Sequence, residues 1–318
     1  MTDHPAAGPR AGVDRRTLLL GALALAAACR REERDPPRRG TPPPGGAWRL
    51  ASFDPGPAAP EGQRAMLLAP WPAAGGPEPA ARPLLVALHG RGEAGRGLDV
   101  GAGGWPNDYH LDRLHRRLLA PPLVPADLRG MVTAERLARL NASLAASPYR
   151  GLGVACPYTP DLRDKSAEGA QGFARFVIEV LLARLRIEAG STAPRSAIGI
   201  DGVSMGGRLA LLIGLTHPEI FGAVGALQPA IGVQEAPQIS ALAQAAMSKQ
   251  KVLLRLVSSD RDYFLPAVRA ASERMKADGV PHELVVTPGD HSYEWNRGPG
   301  GAEMLLWHER VLRGLPPP

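Results

Sequence analysis

The stretch Gly202-Val203-Ser204-Met205-Gly206-Gly207 constrains this chain more than any other. An apolar run from Ser196 to Asp201 precedes it, short enough for one buried strand, and Arg208 to Leu215 follows as a helix packed among apolar neighbours. A strand, a sharp glycine-flanked turn with serine at its apex, then a helix is the pattern of a nucleophile elbow. The turn strains the serine backbone and lifts Oγ clear of the sheet. A side chain two residues to either side would clash there, which accounts for Gly202 and Gly206. The helix begins directly behind the serine, so its free backbone N–H groups point at the place where an oxyanion would form. In a chain with 37 glycines the bare spacing carries little, and the flanking strand and helix give it its weight.

The 318 residues suffice for one large α/β domain or two small ones, and a hydrophobic content of 44% supports a sizeable core. The net charge of +6 is unevenly placed: residues 1–46 hold eight Arg and five acids, a net of +3, which leaves +3 for the rest. Without a basic helix or interleaved aromatics, that is too little to propose nucleic acid as a partner. Two cysteines, Cys29 and Cys156, cannot make a disulfide framework.

The first 29 residues read as an export signal. Asp14-Arg15-Arg16-Thr17-Leu18-Leu19 resembles a twin-arginine motif, and the apolar stretch Leu18 to Ala28 is too short for a mature membrane span, which needs ~20 residues. Cys29 after three alanines resembles a bacterial lipobox, so Cys29 is a lipidation candidate and membrane attachment through it is expected. The other reading is ordinary cleavage near the alanines, or an unprocessed tail. Residues 30–46 are charged and then Pro/Gly-rich, a tether to the folded domain at 47–318. The location expected is periplasmic or cell-surface.

Trp48–Phe53 and Gln63–Ala69 read as an antiparallel hairpin at a sheet edge, and residues 70–82 as a Pro/Gly/Ala connector. Pro83–Leu88 has the continuous apolar character of a strand buried on both faces. It ends in His89-Gly90-Arg91-Gly92-Glu93-Ala94-Gly95. As G-x-G-x-x-G this could be a dinucleotide loop, but a loop follows where that motif needs a helix, and Asp108 lacks a strand context. The competing reading is the His-Gly turn of a hydrolase sheet, with His89 holding the loop and a backbone N–H helping to build an oxyanion hole. Residues 105–148, with helices near Leu111–Leu119 and Ala134–Ala145, form an insertion expected to lie over the substrate pocket, with Trp105 and Tyr109 as wall candidates against plain packing. His110 and His115 lie about 140° apart around a helix, so no metal site is expected from them. Gly151–Cys156 reads as a buried strand whose cysteine is inert, and Ala170–Ala189 as a crossover helix. Strands alternating with helices predict a mostly parallel sheet flanked by helices.

Past the elbow, strands are expected at Gly222–Leu227, Lys251–Val257 and His282–Val286, with helices at Ile239–Gln250 and Ala267–Asp278. Asp260 and Asp262 follow one of these strands and His291 follows another. A serine hydroxyl is a poor nucleophile until a neutral imidazole takes its proton, and the imidazole needs a carboxylate on its far nitrogen. The order Ser…Asp…His is that of an α/β-hydrolase triad. In hydrolases with this triad order, which the chain resembles here, the acid usually comes three residues after the small residue that ends the strand. Counting from Ser259 gives Asp262, with Tyr263-Phe264-Leu265 packing behind it; Asp260 is the alternative.

With the Leu-His89-Gly90 turn, the elbow through Gly207, Asp262 with Tyr263-Phe264, and Gly289-Asp290-His291-Ser292-Tyr293, the chain resembles the bacterial esterase group of the α/β-hydrolase fold. That group includes S-formylglutathione hydrolase, feruloyl esterases, siderophore esterases and secreted mycolyltransferases, and the similarity runs from about Trp48 to Leu312. Ser259 departs from it, standing where a glycine is usual. The resemblance implies acyl transfer from a small-molecule ester, normally to water and without a cofactor. The reading is an exported serine esterase with Ser204 as nucleophile, His291 as general acid/base and Asp262 as its orienter. The N–H groups of Met205 and Arg91 form the oxyanion hole, and Tyr293 joins Trp105 and Tyr109 as a substrate-binding candidate. Two alternatives stay open: an acyltransferase with the same triad, and a non-catalytic surface module. No coiled coil, repeat or symmetric patch speaks to oligomeric state.

Overall fold

A computed structural model of the protein describes residues 47–69 and 81–318. The expected export signal with Cys29, the tether at 30–46 and most of the connector at 70–82 lie outside the described residues.

Eight strands form one sheet in the order β1-β2-β4-β3-β5-β6-β7-β8. They are β1 (Ala47–Phe53), β2 (Gln63–Ala69), β3 (Leu84–Leu88), β4 (Gly153–Pro157), β5 (Ile198–Gly202), β6 (Ala223–Leu227), β7 (Leu253–Arg261) and β8 (Glu283–Asp290). β1 and β2 pair antiparallel as the edge hairpin, β2 meets β4 antiparallel, and every later pair is parallel. β3, β4, β5 and β6 are buried along their whole length, as continuous apolar runs between two helical layers must be.

One layer holds α4 (Ala167–Arg175), which continues through a π turn at Phe176–Leu181 into α5 (Leu182–Glu188), together with α6 (Met205–Thr216), α7 (Ala236–Lys249) and α8 (Leu265–Ala277). The opposite layer holds α2 (Leu111–Leu118), α3 (Ala134–Ala146) and the last helix, α9 (Gly301–Leu312). The segment 105–148 is thus a layer of the core: Leu111, Leu114, Leu118, Leu140 and Leu144 are buried in it with residues of α9. This corrects the expectation of a cover over the pocket, because the apolar stripes of α2 and α3 have a sheet face to bury.

No helix at the end of the chain is evident from apolar spacing, yet α9 is buried on every face, with Glu303, His308, Glu309 and Arg310 among its inward residues. Each has a polar partner in the fold. Glu303 receives Arg136 at 2.5 Å and Arg255 at 3.0 Å, and Trp307 covers the Arg255 guanidinium at 4.7 Å. His308 Nε2 meets Asp201 at 3.0 Å, and Asp201 in turn accepts the Gly202 N–H at 2.7 Å. Buried charges are tolerated only when paired in this way.

Candidate active site

The parallel strands deliver their carboxyl ends to one edge, where the loops after β3, β5, β7 and β8 meet. At the end of β5, Ser204 has φ 57° and ψ −119°, a left-handed conformation that costs a side-chain-bearing residue ~1–3 kcal/mol. The surroundings hold it there. Ser204 N–H donates to Leu227 O at 2.9 Å, and Ser204 O accepts from Ala230 N–H at 2.9 Å and Arg208 N–H at 3.0 Å. A Cβ on Gly202 would come within 2.5 Å of the Gly206 carbonyl, and one on Gly206 within 2.4 Å of Leu88 O, so the backbones at the turn touch directly.

Beyond β7, Asp262 is buried and fully bonded. His291 Nδ1–H donates to its Oδ1 at 2.9 Å, Phe264 N–H to the same oxygen at 3.0 Å, and Ser258 Oγ–H to Oδ2 at 2.6 Å. Asp260 lies at the surface and accepts the Gly289 N–H at 3.0 Å, away from the imidazole. With Nδ1 committed to the carboxylate, Nε2 is the ring nitrogen left for a hydroxyl. Ser204 and His291 line one cavity of about 190 Å³, with no hydrogen bond between them among the described residues. Tyr263, two-thirds exposed, lies against the imidazole with ring centres 4.5 Å apart, a wall residue that the sequence marked only as packing.

The loop after β3 supplies the facing wall. His89 is fully buried; Thr159 N–H donates to its Nε2 at 2.8 Å, so the proton sits on Nδ1 and is given to Gly90 O at 2.9 Å. Burial, the largest influence, lowers its pKa to about 4, so it stays neutral and holds the loop. The Gly90 N–H is taken by Tyr109 at 3.3 Å. Arg91 and Met205 each stand first in a helix, α1 (Arg91–Ala94) and α6, where a backbone N–H has no partner within the helix.

Two residues missed by the sequence reading organise this edge. Glu93 is buried, and its carboxylate accepts the hydroxyls of Tyr109 and, at 2.5 Å, Tyr293. Burial first, then that carboxylate, raises both tyrosine pKa values well above the ordinary range, so both remain phenols. Gln228, buried with φ 42°, donates to Ser259 Oγ at 2.6 Å and to Asp290 O at 2.9 Å, joining the ends of β7 and β8. Glu93 was visible only as a letter inside a glycine motif, and Gln228 follows its strand without any motif.

Of the wall candidates, Tyr109 and Tyr293 line the cavity. Trp105 does not: it is wholly buried, edge-on to Tyr109 with ring centres 4.9 Å apart, because the 105–148 segment turns it toward the sheet. Cys156 is buried in β4, and burial pushes its thiol pKa well up. Among the described residues, no three His, Cys, Asp or Glu side chains cluster as a metal site.

The family model described as "Putative esterase" matches residues 156–298. No curated protein matches the sequence. Among solved structures, a ferulic acid esterase is similar with TM-score 0.61 and 16% identity, covering 84% of this chain and 99% of its own. An S-formylglutathione hydrolase from Staphylococcus aureus is similar with TM-score 0.57 and 15% identity over 83% of this chain and 98% of its own. A fluorophosphonate-binding serine hydrolase from the same organism gives TM-score 0.54 and 15% identity over 83% and 99%.

Proposed function

We propose that this chain is a carboxylic-ester hydrolase with a serine mechanism run by Ser204, His291 and Asp262, a reading supported by the esterase family match over residues 156–298 and by the α/β-hydrolase fold it shares with a ferulic acid esterase. The observation that carries it is the His291–Asp262 bond at 2.9 Å, beside a cavity that Ser204 also lines. His291 Nε2 takes the Ser204 proton as Oγ attacks the ester carbonyl, and Asp262 steadies the imidazolium that forms. The carbonyl oxygen, now an anion, is received by the N–H groups of Met205 and Arg91, each such donor being worth ~3 kcal/mol in the transition state. His291 then returns the proton to the departing alcohol, which leaves an acyl-Ser204. Water, activated by the same imidazole, releases the acid and frees the serine. Three bonds hold Asp262, so it orients the imidazole without reorganising.

A fluorophosphonate probe tests this: the folded protein should be labelled and Ser204→Ala should not. A folded, unlabelled wild type would leave a non-catalytic surface module as the reading. Export and anchoring are proposed from the twin-arginine and lipobox-like residues at 15–16 and 26–29. Radiolabelled palmitate should enter the wild type and be lost in Cys29→Ser; an equal signal in both would remove the anchor.

A further inference from the structure

Most polar groups around the cavity are already spoken for. Both carboxylate oxygens of Glu93 accept phenol protons, which commits the donors of Tyr109 and Tyr293. Ser292 Oγ donates to Asp290 at 2.6 Å, and Arg91 Nε to Asp161 at 2.8 Å. Ser204, the free side of His291 and two backbone N–H groups serve the proposed chemistry. The Tyr263 hydroxyl and the rest of the Arg91 guanidinium belong to exposed side chains that water can serve. Asn296 differs: it lines the cavity, is 5% exposed, and has its Oδ1 buried without a hydrogen-bond partner. A buried amide oxygen left unpaired is destabilising, and such a group in a native fold calls for an explanation.

We propose that Asn296 is a specificity residue whose carboxamide pairs with a hydroxyl on the part of the ester that enters this cavity. The inference rests on the serine mechanism proposed above for the same site. A hydroxyl fits because it both donates and accepts, so it can satisfy either end of a carboxamide. The cavity, about 190 Å³, lies below the ~300–1,000 Å³ of sites for drug-sized ligands, so the group is short. The rings of Tyr109, Tyr263 and Tyr293 give it apolar walls, which makes one buried polar contact decisive. The substrate class is a short hydroxylated ester, with the hydroxyl on either the acyl or the alcohol side.

The test uses pairs in which a hydroxyl replaces a methyl: ethyl lactate against ethyl isobutyrate for the acyl side, and 2-hydroxyethyl butyrate against propyl butyrate for the alcohol side. The readout is the ratio of kcat/KM within each pair, compared between wild type, Asn296→Leu and Asn296→Ala. In one pair the variants should lower the hydroxyl-to-methyl ratio about tenfold or more, because a site built to bond a hydroxyl rejects its isostere when the partner is present and not when it is gone. The pair that responds assigns the side. Comparing ratios removes the intrinsic reactivity of each ester, and the alanine variant serves should leucine fail to fold. Unchanged ratios in both pairs overturn the proposal. Calorimetry on Ser204→Ala, with Asn296 intact or replaced by Leu, reads the same preference as binding without turnover. Failure of fluorophosphonate labelling would sink the mechanism, whereas labelling with unmoved ratios and unmoved binding sinks only the role of Asn296.

Discussion

Acid should weaken this protein through His89. In the fold its imidazole is buried and neutral, with a pKa lowered to about 4, and its Nε2 is occupied by the Thr159 N–H. In the unfolded chain the same group takes a proton below pH ~6.5. Between those values the unfolded state binds more protons, so stability falls as pH falls. The slope approaches ~1.4 kcal/mol per pH unit for one such group, and the loss over the window sums to about 3 kcal/mol. Stability from His89 is fully present above pH ~6.5 and gone below about 4. The measurement is a series of urea unfolding curves from pH 7 to pH 4 on wild type and His89→Gln, whose amide does not titrate. Other groups, including the buried His308, cancel in the difference between the two proteins. That difference should shrink by about 3 kcal/mol across the range. A difference independent of pH would refute the reasoning and show that the imidazole is not held neutral in the fold.

Replacing Asp262 by Asn should lower kcat by about 10⁴-fold, since the amide favours the wrong imidazole tautomer, while Asp260→Asn should stay within a few-fold; steady-state assays on one ester decide, and the reverse ranking would reassign the acid. Gly206→Ala forces a Cβ to within 2.4 Å of Leu88 O, and thermal melts should show it destabilised by ~1–3 kcal/mol with fluorophosphonate labelling sharply reduced. Because burial raises its thiol pKa, Cys156 should resist iodoacetamide at pH 8 in the folded protein and react fully in denaturant, as read by intact mass.

The parts of this molecule that the sequence exposes are those where a local pattern has one physical cause. β3 and β5 show as apolar runs because both faces are covered, and the elbow shows because only glycine lets Gly202 and Gly206 touch. The three-residue step from Ser259 reaches the aspartate that stands beside His291, although β7 runs on to Arg261, past the expected strand end. What stays hidden depends on partners remote in the chain. α9 carries charges on faces that read as solvent-exposed until Arg136, Arg255 and Asp201 are brought to them by the fold. Trp105 and Tyr109, four residues apart, share one segment, and only packing decides that the first enters the core and the second reaches the cavity. Gln228 and Glu93 act through loops that no spacing rule connects.

The Glu93 carboxylate, gripped by one phenol from the 105–148 segment and another from the histidine loop, makes residues 93, 109 and 293 an epistatic unit. Swapping either tyrosine alone strands half of a buried anion's hydrogen bonds, so the second swap, or neutralisation of the acid, should hurt less than it would by itself. Attempts to retune the proposed ester preference at this wall will therefore succeed by varying the three positions together and stall when they are scanned one at a time.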